Sequence, residues 1–151
     1  MIIAVMVGAC SPPPAPPAPA SSPAAPGGVA SEPAPAAGAD DQVIVSGAGT
    51  YCVAFQPRAE RLPLNEPFSM RVRVLDSAAR PLSDAQITLS VDAAMPAHRH
   101  GMNTLPAVTA RGDGSFQVDG MLLHMPGDWE LYFDVTRRGV TERAQVAVTL
   151  E

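Results

Sequence analysis

Trp129-Glu130-Leu131-Tyr132-Phe133-Asp134-Val135 decides the fold. Apolar side chains occupy every second position, and Glu130, Tyr132 and Asp134 fall between them. A period of two puts one set on a buried face and the other on a wet face, which is the signature of a half-buried strand. The same alternation recurs on both sides of this stretch. Phe68, Met70, Val72 and Val74 alternate with Ser69, Arg71 and Arg73. Ile87, Leu89 and Val91 alternate with Thr88, Ser90 and Asp92. Ala144, Val146, Val148 and Leu150 end the chain in the same way. No segment carries sustained helical spacing.

Turn chemistry separates these runs. Leu62-Pro63-Leu64-Asn65-Glu66-Pro67 leads into the Phe68 strand, and Asp76-Ser77-Ala78-Ala79-Arg80-Pro81 joins two strands. Gly112-Asp113-Gly114 reads as a tight hairpin with glycine at positive φ. Met125-Pro126-Gly127-Asp128 has Pro and Gly at the central positions of a type II turn. About seven short strands with this punctuation predict an all-β protein, an immunoglobulin-like β-sandwich. Trp129 leads an apolar face just after a turn, so it is expected in the core, where a large aromatic supplies much of a small domain's burial.

Residues 41–151 are enough for one domain with a single core. What precedes them is different in kind. Residues 1–10 read as a lipoprotein signal peptide. Ile2 to Val7 is apolar, and Val7-Gly8-Ala9-Cys10 is a lipobox whose cysteine would be lipidated. The apolar run is short and has no basic n-region, so the true start is expected upstream of Met1. Residues 11–40 are almost entirely Pro, Ala, Ser and Gly and hold most of the chain's 17 prolines. Such a segment buries no core and is expected to be a disordered, extended tether. No later segment approaches the roughly 20 apolar residues of a spanning helix. The expected location is the periplasmic side of a bacterial membrane, with the domain held by a lipid on Cys10.

With Cys10 lipidated, Cys52 is the one remaining thiol, and no internal disulfide is possible. Cys52 lies in a strand without cationic neighbours and is expected to be buried and inert. The net charge of −5 argues against nucleic acid, which selects a basic face. All ten basic residues are arginine, which reflects genome composition.

The chemistry is concentrated in two short segments. Met95-Pro96-Ala97-His98-Arg99-His100-Gly101-Met102 and Met121-Leu122-Leu123-His124-Met125-Pro126-Gly127 hold all three histidines of the chain. They also hold four of the five methionines beyond the leader; the fifth, Met70, belongs to a strand alternation. Soft thioether sulfur favours Cu(I), and imidazole binds copper in either oxidation state. Zinc prefers His, Cys and carboxylate, and the first segment contains no carboxylate for iron. The expected copper ligands are His98, His100 and His124, with Met102 or Met95 as the soft ligand. If that stretch is extended, His98 and His100 share a face, although Pro96 and Gly101 favour a loop. His124 and Met125 are expected to end a strand, where neighbours face opposite sides; both could be ligands only if the turn begins early. One hairpin separates the two segments, so they could meet at one end of the sandwich. Asp92 and Asp128 flank the cluster as candidates to orient an imidazole. Against this stands a reading in which methionine fills core gaps, as Met121 is expected to do, and His124 is a core histidine.

Asn65-Glu66-Pro67-Phe68, the first His/Met segment, and His124-Met125-Pro126-Gly127-Asp128-Trp129-Glu130-Leu131 together resemble the YtkA-like domain family. These are small extracytoplasmic β-sandwich proteins related to the FixH-type proteins of cytochrome oxidase assembly. The resemblance covers the domain after about residue 50. It implies a role near copper handling or respiratory oxidase maturation. The chain departs from FixH-type proteins in having a predicted lipid anchor in place of a spanning helix.

The expected function is therefore a membrane-tethered copper chaperone, buffer or tolerance factor that exchanges metal with a copper-accepting or copper-donating protein. The alternative is a non-metal interaction module, in which the His/Met loops dock on a membrane or envelope complex. No enzyme is expected: there is no Ser/His/Asp arrangement, carboxylate pair or glycine-rich phosphate loop. Arg111-Gly112-Asp113 spells an adhesion tripeptide but reads as turn chemistry.

Overall fold

The computed structural model describes residues 41–57 and 61–151. The expected signal peptide, the expected lipidation site Cys10 and the Pro/Ala-rich segment expected to be a tether lie outside the described residues. Nine strands are described: β1 (Gln42–Val45), β2 (Tyr51–Pro57), β3 (Phe68–Asp76), β4 (Ile87–Met95), β5 (His100–Gly101), β6 (Ala107–Ala110), β7 (Ser115–Met121), β8 (Gly127–Arg137) and β9 (Val140–Leu150). A short 3-10 turn, Pro96–His98, is the one helical element among the described residues.

The strands form two antiparallel sheets, ordered β1-β2-β3-β7-β6 and β5-β4-β8-β9. Without β1 and the two-residue β5, the orders are β2-β3-β7-β6 and β4-β8-β9. These are the ABED and CFG sheets of an immunoglobulin-type sandwich. The expectation of about seven strands thus describes the sandwich itself. The two additional strands are short edge pieces that carry no core alternation for the sequence to display.

The alternating residues do what their period requires. Met70, Val72 and Val74 of one sheet face Leu131, Phe133 and Val135 of the other, all fully buried in one core. Phe55 and Phe133 meet across it with ring centroids 5.0 Å apart. Trp129 is 0 % exposed and is the largest fully buried side chain. The wet face of β8 is polar in turn: Tyr132 donates to Glu130 at 2.7 Å. The Arg143 guanidinium lies over the Tyr132 ring and pairs with Asp134.

Tertiary contacts close the edges. Gly47 N–H donates to Arg143 O at 2.8 Å, and Ser46 Oγ donates to Glu142 at 2.8 Å, stitching the β1–β2 turn to β9. The hairpin at Gly112–Gly114 forms as predicted, and both of its glycines, not one, take positive φ. There Asp113 accepts from the Ser115 amide and hydroxyl, which is turn chemistry. Cys52 departs from expectation. It is half-buried and free, because Tyr51, Val53 and Phe55 take the core side of β2 and leave Cys52 on the opposite face.

Candidate metal centre

The strand directions place both His/Met segments at one end of the sandwich. β4 and β7 finish there, β8 starts there, and Phe68 at the start of β3 pairs with Met121 at the end of β7. The first segment is not an extended strand. Pro96 opens the 3-10 turn, for which its fixed φ is suited, and Arg99 follows in the left-handed region at φ 56°. The chain then re-enters a two-residue pairing in which His100 is opposite Met95. This reversal, and not a shared strand face, brings the His98 and His100 rings to 5.9 Å between centroids.

The second segment also departs from expectation. β7 stops at Met121, so His124 and Met125 belong to an irregular connection, residues 122–126, that crosses from one sheet to the other. The stretch has no ladder partner, although its burial still alternates: Met121 and Leu123 are fully buried, and Leu122 and His124 half-buried. Three hydrogen bonds hold it instead. Leu122 N–H donates to Met102 Sδ at 3.4 Å. Asn65 N–H donates to Leu123 O at 2.8 Å. The Trp129 indole N–H donates to Met125 O at 2.9 Å. His124 is suspended between these fixed points.

The result joins histidines from the two segments. His100 and His124 lie 5.3 Å apart between ring centroids. Trp129 meets both nearly at right angles, at 5.9 Å from His100 and 5.4 Å from His124. Exposure is graded: His98 is exposed, whereas His100 and His124 are half-buried. Two nitrogens are informative. His100 Nδ1–H donates to Gly101 O at 3.2 Å. His124 Nδ1 is buried and has no hydrogen-bond partner.

The methionines separate into distinct environments. Met95 is 1 % exposed and packs in the core, with its methyl end against Gly127. Met121 is fully buried, as its apolar surroundings predicted. Met102 is half-buried, and its sulfur joins the two segments through the Leu122 amide. Met125 is 38 % exposed. The two flanking carboxylates engage elsewhere. Asp92 accepts from the Ala93 amide and Asp128 from the Thr149 hydroxyl, so neither is positioned as an imidazole partner in the way the sequence suggested. Both lie on strands whose pleat turns their side chains outward. Cys52, near the opposite end of β2, does not join the cluster. Among the described residues, no three His, Cys, Asp or Glu side chains form a ready metal-binding group. No described helix is long and apolar enough to cross a membrane.

Sequence reasoning missed Trp129 as a member of this site. Its alternation places it in the core, and it is there. Yet position 129 is the end of the apolar row, where the core meets the connecting loops, and the same ring supports two imidazoles. No protein family, curated protein or solved structure matches the chain.

Proposed function

We propose that this chain is a membrane-tethered periplasmic copper-binding protein, acting as a chaperone, buffer or tolerance factor. One observation carries the reading: all three histidines of the chain, supplied by two separate segments, lie in a row of ring contacts at one end of the sandwich. Imidazoles beside a thioether are a donor set suited to copper, and sulfur adds preference for Cu(I). Met102 is the favoured thioether, since its sulfur already bridges the two histidine segments. Met95 is committed to the core, and the exposed Met125 is available to an approaching partner. The resemblance to YtkA-like domains, with its implied link to oxidase maturation, is part of this proposal.

A copper titration of the purified chain tests it. One copper per chain is expected, and replacing His98 and His100 together should abolish stoichiometric uptake. Met102→Leu keeps the volume and removes the soft donor, so Cu(I) should weaken far more than Cu(II). Affinity should fall in acid, because protonated imidazole cannot ligate. Failure to take up copper in either oxidation state would leave the docking module as the better reading. Leu105, 97 % exposed in the connection between Met102 and β6, and Met125 would then supply its apolar contact.

A further inference from the structure

The three imidazoles stand in unequal environments, and the inequality has a chemical consequence. A carbonyl oxygen can only accept, so the contact from His100 Nδ1 to Gly101 O requires the proton on Nδ1. The lone pair of His100 is then on Nε2. A histidine that donates one ring N–H to a backbone carbonyl has its other nitrogen oriented and made more basic, as metal-bound histidines do. His124 is arranged the other way. Its Nδ1 is buried without a partner, a position that is unfavourable whether that nitrogen carries a proton or a lone pair. The ring is half-buried, which leaves its remaining edge near water. Coordination through Nδ1, with the proton on Nε2, would satisfy the buried atom.

His98 differs from both. It is exposed at the end of the 3-10 turn, and its ring contacts His100. Trp129 supports His100 and His124. Resting on the copper reading above, we propose that His100 and His124 are the holding pair, engaged through different ring nitrogens, Nε2 of His100 and Nδ1 of His124. His98 is the outer ligand, the one that an acceptor displaces when metal leaves. Exchange then begins at the exposed end of the row, while the supported pair keeps its geometry.

Long-range proton–nitrogen NMR of the unsubstituted full chain, labelled with nitrogen-15, reads this directly. Cu(I) is diamagnetic, so the imidazole signals remain visible on loading. Without metal, His100 should be the Nδ1–H tautomer. With one equivalent of Cu(I), the shift on binding should fall on Nε2 of His100 and Nδ1 of His124. Copper retained with His124 bound through Nε2, or with its ring unshifted, overturns the assignment and leaves the copper reading standing. Loss of all copper on desalting removes the copper reading itself. Two variants test the division of labour. His98→Ala should keep one Cu(I) per chain, lose less than tenfold in affinity, and release metal faster to a soluble Cu(I) chelator. His124→Ala should lose at least a hundredfold in affinity. Equal losses in the two variants would overturn the outer role of His98.

Discussion

Trp129 serves two surroundings at once. Its ring fills the core, and its indole N–H fixes the carbonyl of Met125 at 2.9 Å. Trp129→Ala should cost about 3–5 kcal/mol, as other large aromatic truncations do, which is most of the stability reserve of a small domain. Chemical denaturation measures it. A soluble variant of near-parental stability would show that the ring is not central to the core. Trp129→Phe keeps most of the apolar volume and removes the donor, leaving the Met125 carbonyl to find another partner. It should cost less, about 1–3 kcal/mol, and should loosen residues 122–126 selectively. Amide hydrogen exchange in that connection distinguishes this local effect from general destabilisation.

At the scale of elements, the β6–β7 hairpin shows how a turn is tied to its neighbour. Gly112 and Gly114 have nearly equal φ, +81° and +82°, but different surroundings. A Cβ at Gly112 meets nothing within 4 Å, whereas at Gly114 it would lie 2.9 Å from the Leu82 carbonyl oxygen. Gly112→Ala should therefore carry the left-handed penalty alone, about 1–2 kcal/mol. Gly114→Ala adds a backbone clash, and its cost should exceed that of Gly112→Ala by about 1 kcal/mol or more. Equal melting temperatures for the two variants would contradict the packing of this hairpin on residues 82 and 83. Asp113 in the same turn also gives a pH dependence. The Ser115 hydroxyl, followed by the Ser115 amide, holds its carboxyl below the ordinary 3.8. A folded value lower than the unfolded one stabilises the fold above the unfolded value. That stability is lost as pH falls through 3.8 and on toward the folded value. Asp113→Asn should flatten this part of the acid limb, and melting curves taken between about pH 2 and 5 would show it. An unchanged acid limb would mean that the turn does not hold its carboxylate more tightly when folded.

For the whole molecule, the loops of one end carry the candidate chemistry and the sheets carry the stability. Replacing the exposed His98 should leave the melting temperature nearly unchanged, because surface substitutions away from packed features usually stay within about 0.5 kcal/mol. The expected Pro/Ala-rich tether would extend the same division of labour. If Cys10 is the lipid attachment point, Cys10→Ala should move the protein from the membrane fraction to the soluble one. The melting of the domain should not change, since among the described residues the buried core runs from Tyr51 to Leu150. Retention of Cys10→Ala in salt-washed membranes would count against the anchor.

The alternation at 129–135, 68–74, 87–91 and 144–150 determined the class of fold by itself, because a two-residue period has one physical solution when one face is buried. It also placed Trp129 in the core, and the turn chemistry of Gly112-Asp113-Gly114 marked a hairpin. The clustering of histidine and methionine in two segments was equally legible. The short strands β1 and β5 were not, since they pair at the edges without a buried row of their own. Nor was the end of β7 at Met121. Leu122, Leu123 and His124 look like a continued strand, and only the crossing between sheets, with its bonds from Asn65, Met102 and Trp129, shows where the ladder stops. The row of imidazoles was decided at that same level. His124 comes from a different segment than His98 and His100, and the ring contacts, the unequal exposure and the partnerless nitrogen of His124 arise from packing between segments, which no local period encodes.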